Sequence, residues 1–300
     1  MSELIKILPA VRGAYRENVE LKSWFDVGGK AEILFRPADL SDLQDFLKNC
    51  PKEIPINILG AASNVIISDH GVKGVVIRLS GEFAKITQEE NTIRAGSAAL
   101  CGNVALFSRN AELANLEFFT GIPGSIGGAI AMNAGCYGSD VAQTLISATA
   151  IDFNGNLFEL KNSDFEFFYR GNKIAKKFIF VEGLFQGTKS TSEAVAKKIA
   201  EFNQQREAAQ PIRAKTGGST FKNPEPTNPN AKKAWQLIDE AGFRGAVEGD
   251  AQISEKHCNF MINRGKASAS DLIDLGNKVK RAVKERSNID LEWEIKILGQ

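Results

Sequence analysis

Between residues 121 and 138 the chain reads Gly121-Ile-Pro-Gly-Ser-Ile-Gly-Gly128 and then Ala129-Ile-Ala-Met-Asn-Ala-Gly-Cys-Tyr-Gly138. Its glycines are Gly121, Gly124, Gly127, Gly128, Gly135 and Gly138. Such density constrains the fold because it allows backbone to approach a neighbour where any Cβ would clash. Clustered N–H groups at such a turn are also suited to holding phosphate. A tight turn into a packed helix satisfies the same string, so the rest of the chain has to decide.

The strands and helices expected around this segment are mixed. A strand is expected over 31–35, closed by Arg36-Pro37. A helix follows over 39–48, with Asp39 as its cap and Leu40, Leu43 and Leu47 on one face. Strands over 54–59, 65–67 and 74–79 enclose the small-residue loop Gly60-Ala61-Ala62-Ser63-Asn64. A hairpin is expected over 85–95 and a helix over 98–111. Asn154-Gly155 between strand-like runs predicts a second hairpin. A buried strand over 178–185 precedes a long helix over 190–210, with Val195, Ile199 and Phe202 at helical spacing. Pro211 ends that helix and marks the region of the domain boundary. Beyond it come a helix over 231–241, a strand over 260–263, a helix opened by the capping box Ser268–Asp271, and a period-two strand over 289–298. This pattern is α+β in both parts.

Several function classes drop out. The net charge of +1 gives no reason to expect nucleic acid or an anionic membrane. No apolar run reaches the ~18 residues of a membrane helix, and the start is too charged for a signal peptide, so a cytoplasmic protein is expected. The four cysteines lack CxxC spacing, and with only His70 and His257 no metal site is expected. There is no Gly-x-Gly-x-x-Gly after a strand and no Walker A string, so a bound nucleotide would need another scaffold. In that case the two separated small-residue loops at 60–64 and 121–128 could clamp a diphosphate from both sides.

Polar strings in glycine-rich or apolar settings are the candidate chemistry. Tyr169-Arg170 follows the aromatic run 165–168, and its arginine suits a carboxylate. Ser219, Lys222 and Asn223 lie in Thr216-Gly-Gly-Ser-Thr-Phe-Lys-Asn-Pro224, a surplus of donors for an anion or sugar. In Leu291-Glu-Trp-Glu-Ile-Lys-Ile297 the alternation puts Glu292, Glu294 and Lys296 on one face, which a solvated edge also explains. His257 reads as a structural histidine more readily than a functional one.

In this order the strings Leu21–Gly29, Leu59–Asn64, Gly121–Gly128 with Met132–Gly135, Tyr169-Arg170, Gly218–Pro224 and Leu291–Ile295 resemble the UDP-N-acetylenolpyruvoylglucosamine reductase (MurB) family over roughly residues 20–299. The resemblance implies an FAD domain of the vanillyl-alcohol-oxidase (PCMH) type with two α+β lobes at 1–189, and a smaller α+β substrate domain at 190–300. It implies NADPH-dependent reduction of UDP-N-acetylglucosamine enolpyruvate to UDP-N-acetylmuramate for peptidoglycan, by a monomer without nucleic-acid or membrane partners. Another FAD-dependent oxidoreductase of the same fold is the alternative. By the resemblance, FAD meets Gly60, Ala61, Ala62, Ser63, Asn64, Gly121, Ile122, Pro123, Gly124, Ser125 and Gly128. Substrate meets Tyr169, Lys222 and Asn223, and the catalytic arginine, serine and glutamate are Arg170, Ser219 and Glu294, the last with a pKa raised by burial. Two departures stand out. The first loop has Ala62 where the family has glycine, a methyl that is harmless if φ stays negative. Asn172 replaces a small residue, usually serine, two positions after Arg170, which unsettles the hydrogen bonding there. The short stretch between Arg170 and 178 is similar to the type II branch.

Overall fold

The computed structural model describes residues 3–299. They form two compact units. The first runs up to Asn18 and takes in Glu32–Ala61 and Gly74–Gln205; the second comprises Val19–Ala31, Ala62–Lys73 and the chain from Arg206 on. The first unit therefore continues beyond residue 189, and the second includes two excursions from the N-terminal half. The α+β class read from the sequence holds.

The first unit contains two cores. One lies on a four-stranded sheet in the order Ala14–Glu20, Lys30–Arg36, Val72–Ile77, Ile56–Ile58. The last two strands are parallel, with Ile56 opposite Val75 and Ile58 opposite Ile77. The helix Leu40–Asn49 buries Leu43, Phe46 and Leu47 in this core, each worth about 1.5–3 kcal/mol as burial. Asp39 caps the helix by accepting from Asp42 N–H at 3.0 Å. Asp42 is itself buried, and its carboxylate accepts from the backbone of Arg12, Gly13 and Ala38. Three charge-assisted bonds offset the cost of taking that carboxylate out of water.

The other core lies on an antiparallel sheet in the order Leu157–Lys161, Leu145–Asp152, Phe178–Gln186, Thr92–Gly96, Ile86–Glu89. Both predicted hairpins are present in it. The helices Cys101–Asn110 and Ile126–Met132 supply Val104, Ala105, Ile126 and Ile130 to the same core. The long helix Ser192–Ala209 adds Val195, Ile199 and Phe202, the face its spacing specified.

The second unit packs the helices Ala234–Glu240 and Ala269–Ser287 with a three-stranded sheet, Val247–Glu248, Ala251–Ile253 and Met261–Asn263. The capping box at Ser268 is formed, and Leu272, Leu275, Val279 and Val283 are buried. Asp69 adds a second cap, accepting from the N–H groups of Ala269 and Ser270. Lys296–Leu298 pairs in parallel with Val65–Ile67.

Here the sequence reading needs one correction. The expected strand over 289–298 is a strand only at Lys296–Leu298, with an isolated bridge from Trp293 to Phe221. Residues 294–295 form a bend in which the N–H groups of Glu294 and Ile295 both point at Thr220 O, at 2.9 and 3.4 Å. That is the signature of a bulge, which breaks the alternation and re-aims the side chain. Glu292 and Glu294 therefore do not share one repeating face: Glu292 is exposed and Glu294 half-buried.

Candidate active site

In the first unit the glycine segment is stitched to residues 97–101. Cys101 N–H donates to Gly124 O, Ile126 N–H to Ala99 O and Gly127 N–H to Ser97 O. A Cβ on Gly127 would lie 2.9 Å from Ser97 Cβ, so this approach requires glycine. Ser125 precedes the Ile126–Met132 helix, is 94 % buried by its 6 % exposure, and makes no capping bond with its side chain. Gly60 faces it: a Cβ there would come within 2.5 Å of Ser125 Oγ. The N–H groups of Gly60, Ala61 and Ala62 donate to no acceptor among the described residues. Three consecutive bare donors, with glycine where loop and serine meet, fit a phosphate-bearing cofactor.

Ala62 overturns an expectation. Its φ is +55°, in the left-handed region, where an L-residue is disfavoured. The turn is held there because Ala62 O accepts from Trp24 N–H at 3.0 Å. Asn64 ends the loop within the second unit and is anchored to the Glu294 segment. Its Nδ2 donates to Glu294 O at 3.1 Å, and its carbonyl accepts from Lys296 N–H at 3.1 Å.

Tyr169 and Arg170 form the two-residue turn between Phe167–Phe168 and Gly171–Asn172. Arg170 is the third of four turn residues and has φ +59°, a position usually given to glycine or asparagine. Its Nη2 donates to Gly135 O at 3.0 Å, and its guanidinium lies 5.0 Å from the Tyr169 ring centroid. The departure at Asn172 is resolved. Its Nδ2 reaches Ile130 O and Ala131 O at the end of the glycine-rich helix, at 3.0 and 3.2 Å.

The second unit holds Ser219, Lys222, Asn223 and Glu294. Ser219 follows Gly218, which has φ +83°, and bridges to Phe260. Thr220 O receives the Glu294 bulge, and Lys222 N–H donates to Glu292 O at 2.9 Å. Lys222 Nζ lies 3.2 Å from the Glu292 carboxylate. Asn223 Oδ1 accepts from Ala234 N–H, capping the Ala234–Glu240 helix. The structure thus brings Ser219, Lys222 and Glu294 onto two adjacent backbone segments of one unit, with Arg170, Tyr169 and the glycine segment in the other.

Sequence reasoning missed Asn259. It is buried, its Nδ2 donates to Phe221 O at 2.8 Å and its Oδ1 accepts from Phe221 N–H at 3.0 Å. Thus it braces the extended segment that carries Ser219 and Lys222. No periodic signal marks it, because its partner is 38 residues away. His257 is accounted for by packing. Its ring lies 4.7 Å from Phe260 and 6.4 Å from Trp235, and Nδ1 accepts from Asn259 N–H. Burial, aided by the Arg244 cation, lowers its pKa.

A lobed α+β unit with a phosphate-type glycine cradle, and a second unit rich in anion-binding donors, suit an enzyme that works with a phosphate-bearing cofactor. Residues 31–161 match the profile of an FAD binding domain. Residues 210–298 match the UDP-N-acetylenolpyruvoylglucosamine reductase C-terminal domain. The chain is 49% identical over 298 residues to the UDP-N-acetylenolpyruvoylglucosamine reductase of Parvibaculum lavamentivorans, covering 99% of this chain and 94% of that one. It is 45% identical to the Rickettsia prowazekii enzyme of the same name, with 99% of each covered. The solved MurB structure from Thermus caldophilus is similar at 31% identity and a TM-score of 0.81, covering 96% of this chain and all of that one. The chain belongs to the UDP-N-acetylenolpyruvoylglucosamine reductase family.

Proposed function

We infer that this chain is an FAD-dependent enzyme that uses NADPH to reduce UDP-N-acetylglucosamine enolpyruvate to UDP-N-acetylmuramate, in peptidoglycan precursor synthesis. The observation that carries the reading is the near full-length match to relatives of that activity, with both family domains in one chain. Along the sequence we assign the FAD role to 1–189 and the substrate role to 190–300, although the helix Ser192–Ala209 packs in the first unit's core and the segments Val19–Ala31 and Ala62–Lys73 belong to the second unit. The contacts 60–64, 121–125 and Gly128 are the proposed FAD residues, supported by the bare N–H donors at 60–62 and by Ser125. A monomer in the cytoplasm, without nucleic-acid or membrane partners, completes the reading; no helix among the described residues is long and apolar enough to cross a membrane.

FAD, which residues 60–64, 121–125 and Gly128 would hold, would supply two-electron hydride chemistry between NADPH and the enolpyruvyl double bond. The chain's own residues manage the charge that results. Negative charge builds on the α-carbon and spreads into the adjoining carboxylate. Arg170 is the proposed partner of that carboxylate: a permanent cation with a planar fork, already fixed by Gly135 O. Ser219 donates its hydroxyl proton to the α-carbon, so that hydride and proton together saturate the double bond. A serine is a weak acid, but the carbanion is a strong base, so placement matters more than acidity. Glu294 is the third proposed catalytic group; it can stabilise negative charge only in its protonated form. Tyr169, Lys222 and Asn223 orient the substrate. With Ser219→Ala, turnover is expected to fall on the order of 10²-fold or more while NADPH still reduces the flavin. Wild-type turnover in that variant would remove Ser219 from the proton-donor role.

A further inference from the structure

The Tyr169-Arg170 hairpin has only two ladder positions, Phe167 with Asn172 and Phe168 with Gly171. A ladder so short does not hold a turn by itself. Arg170 is moreover at φ +59°, a conformation that persists only where the surroundings impose it. What imposes it lies at the exit of the Ile126–Met132 helix. Asn133 Nδ2 donates to Phe168 O at 3.2 Å, while its Oδ1 accepts from Ala142 N–H at 2.9 Å. Asn172 Nδ2 spans two carbonyls of the helix's last turn, and its Oδ1 accepts from Ile174 N–H at 3.1 Å. Both asparagines are buried, at 4 % and 7 % exposure. Both carbonyls lie in the helix's last turn, where intrahelical partners run out; Ile130 O also accepts from Asn133 N–H at 3.2 Å.

We propose that Asn172 is a positioning residue for Arg170: its side chain fixes the arginine turn to the helix that begins at the glycine cradle, so one asparagine sets the guanidinium's place relative to the cofactor loop. A serine hydroxyl at 172 has one proton to donate and cannot serve both carbonyls. An amide can serve both and still accept from Ile174. The proposal rests on the catalytic reading of Arg170, and the two are separable by experiment. With Asn172→Ala the hairpin keeps its ladder and its bond from Asn133 to Phe168 O but loses both bonds to Ile130 O and Ala131 O. The guanidinium then samples positions off the substrate carboxylate, and a displacement near 1 Å costs about 10²-fold.

The test uses NADPH-reduced holoenzyme in stopped flow, with the two half-reactions measured separately. Asn172→Ala is expected to slow substrate-driven flavin reoxidation about 10- to 100-fold, with flavin reduction by NADPH changed less than about 2-fold. Asn172→Asp is the shape-conserving control. Ionised, it turns an oxygen toward two carbonyls; protonated, it regains one donor. Its reoxidation rate, relative to wild type at each pH, is therefore expected to recover on acidification. Thermal melting of each variant reports any general loss of stability. Equal slowing of both half-reactions, or an Asn172→Asp deficit that does not change with pH, overturns the proposal. Arg170→Ala is the separating arm. If Arg170→Ala is slow in reoxidation and Asn172→Ala is not, the positioning role fails and the catalytic reading stands. If Arg170→Ala itself reoxidises at the wild-type rate, the catalytic reading of Arg170 fails.

Discussion

Asn259→Ala is the sharpest test of how the second unit holds Ser219. Phe221 lies between Thr220, whose carbonyl takes the Glu294 bulge, and Lys222, whose N–H goes to Glu292. Both bonds point to the Trp293 side. The N–H and carbonyl of Phe221 face the other way, and the Asn259 amide satisfies both, at 3.0 and 2.8 Å. Phe221 is 1 % exposed and Asn259 5 %, so alanine leaves two buried backbone groups without partners and opens little room for water. Each orphaned group costs about 1–3 kcal/mol. Allowing for relaxation, the expected loss is about 3 kcal/mol. Asn259→Asp keeps the acceptor for Phe221 N–H and loses the donor to Phe221 O, so its expected deficit is also above 1 kcal/mol. The chain's three tryptophans, Trp24, Trp235 and Trp293, all belong to the second unit, so urea unfolding followed by tryptophan fluorescence reports on this unit directly. A loss under about 1 kcal/mol in Asn259→Ala, with an unchanged slope, would refute the argument that Phe221 depends on Asn259.

Other substitutions and conditions have equally definite outcomes. Gly276→Ala would put a Cβ 2.0 Å from the Trp293 ring; the clash, about 1–3 kcal/mol, outweighs the better helix propensity of alanine, and the tryptophan-detected midpoint should fall. Ser97 Oγ is buried with no hydrogen-bond partner among the described residues, so Ser97→Ala should raise thermal stability by about 1 kcal/mol; a lower melting temperature would show that the hydroxyl is satisfied in solution. His257 has a folded pKa below its unfolded value. Its contribution is therefore complete above the unfolded pKa, near 6.5, and is lost as pH falls below it, because the unfolded chain takes up the proton first. Wild-type stability should decline across that window more steeply than that of His257→Gln; identical profiles would remove the histidine from the account.

Much of the fold was legible because local periodicity and local chemistry agreed. Asp39, the Asn154-Gly155 turn, the Ser268 capping box and the Val195, Ile199, Phe202 face all act within a few residues of themselves. What escaped was non-local or conformational. The bulge at Glu294 is imposed by Thr220, on a neighbouring segment far away in sequence, and alternation cannot foresee it. The positive φ of Ala62 is set by a bond from Trp24, and that of Arg170 by a hairpin tied to another helix. Asn172 and Asn259 bond to backbone some 40 residues off, so their sequence surroundings say nothing of their partners. The candidate chemistry was legible as an ordered set of strings, while the asparagines that hold those strings in place were not.

The most direct measurement is single turnover on the holoenzyme. Purified chain loaded with FAD is bleached anaerobically with one equivalent of NADPH, and UDP-N-acetylglucosamine enolpyruvate is then added. The visible flavin absorbance is expected to return in step with formation of UDP-N-acetylmuramate, one per flavin. A flavin that stays reduced in the presence of that substrate, or a chain that takes up no FAD, would contradict it.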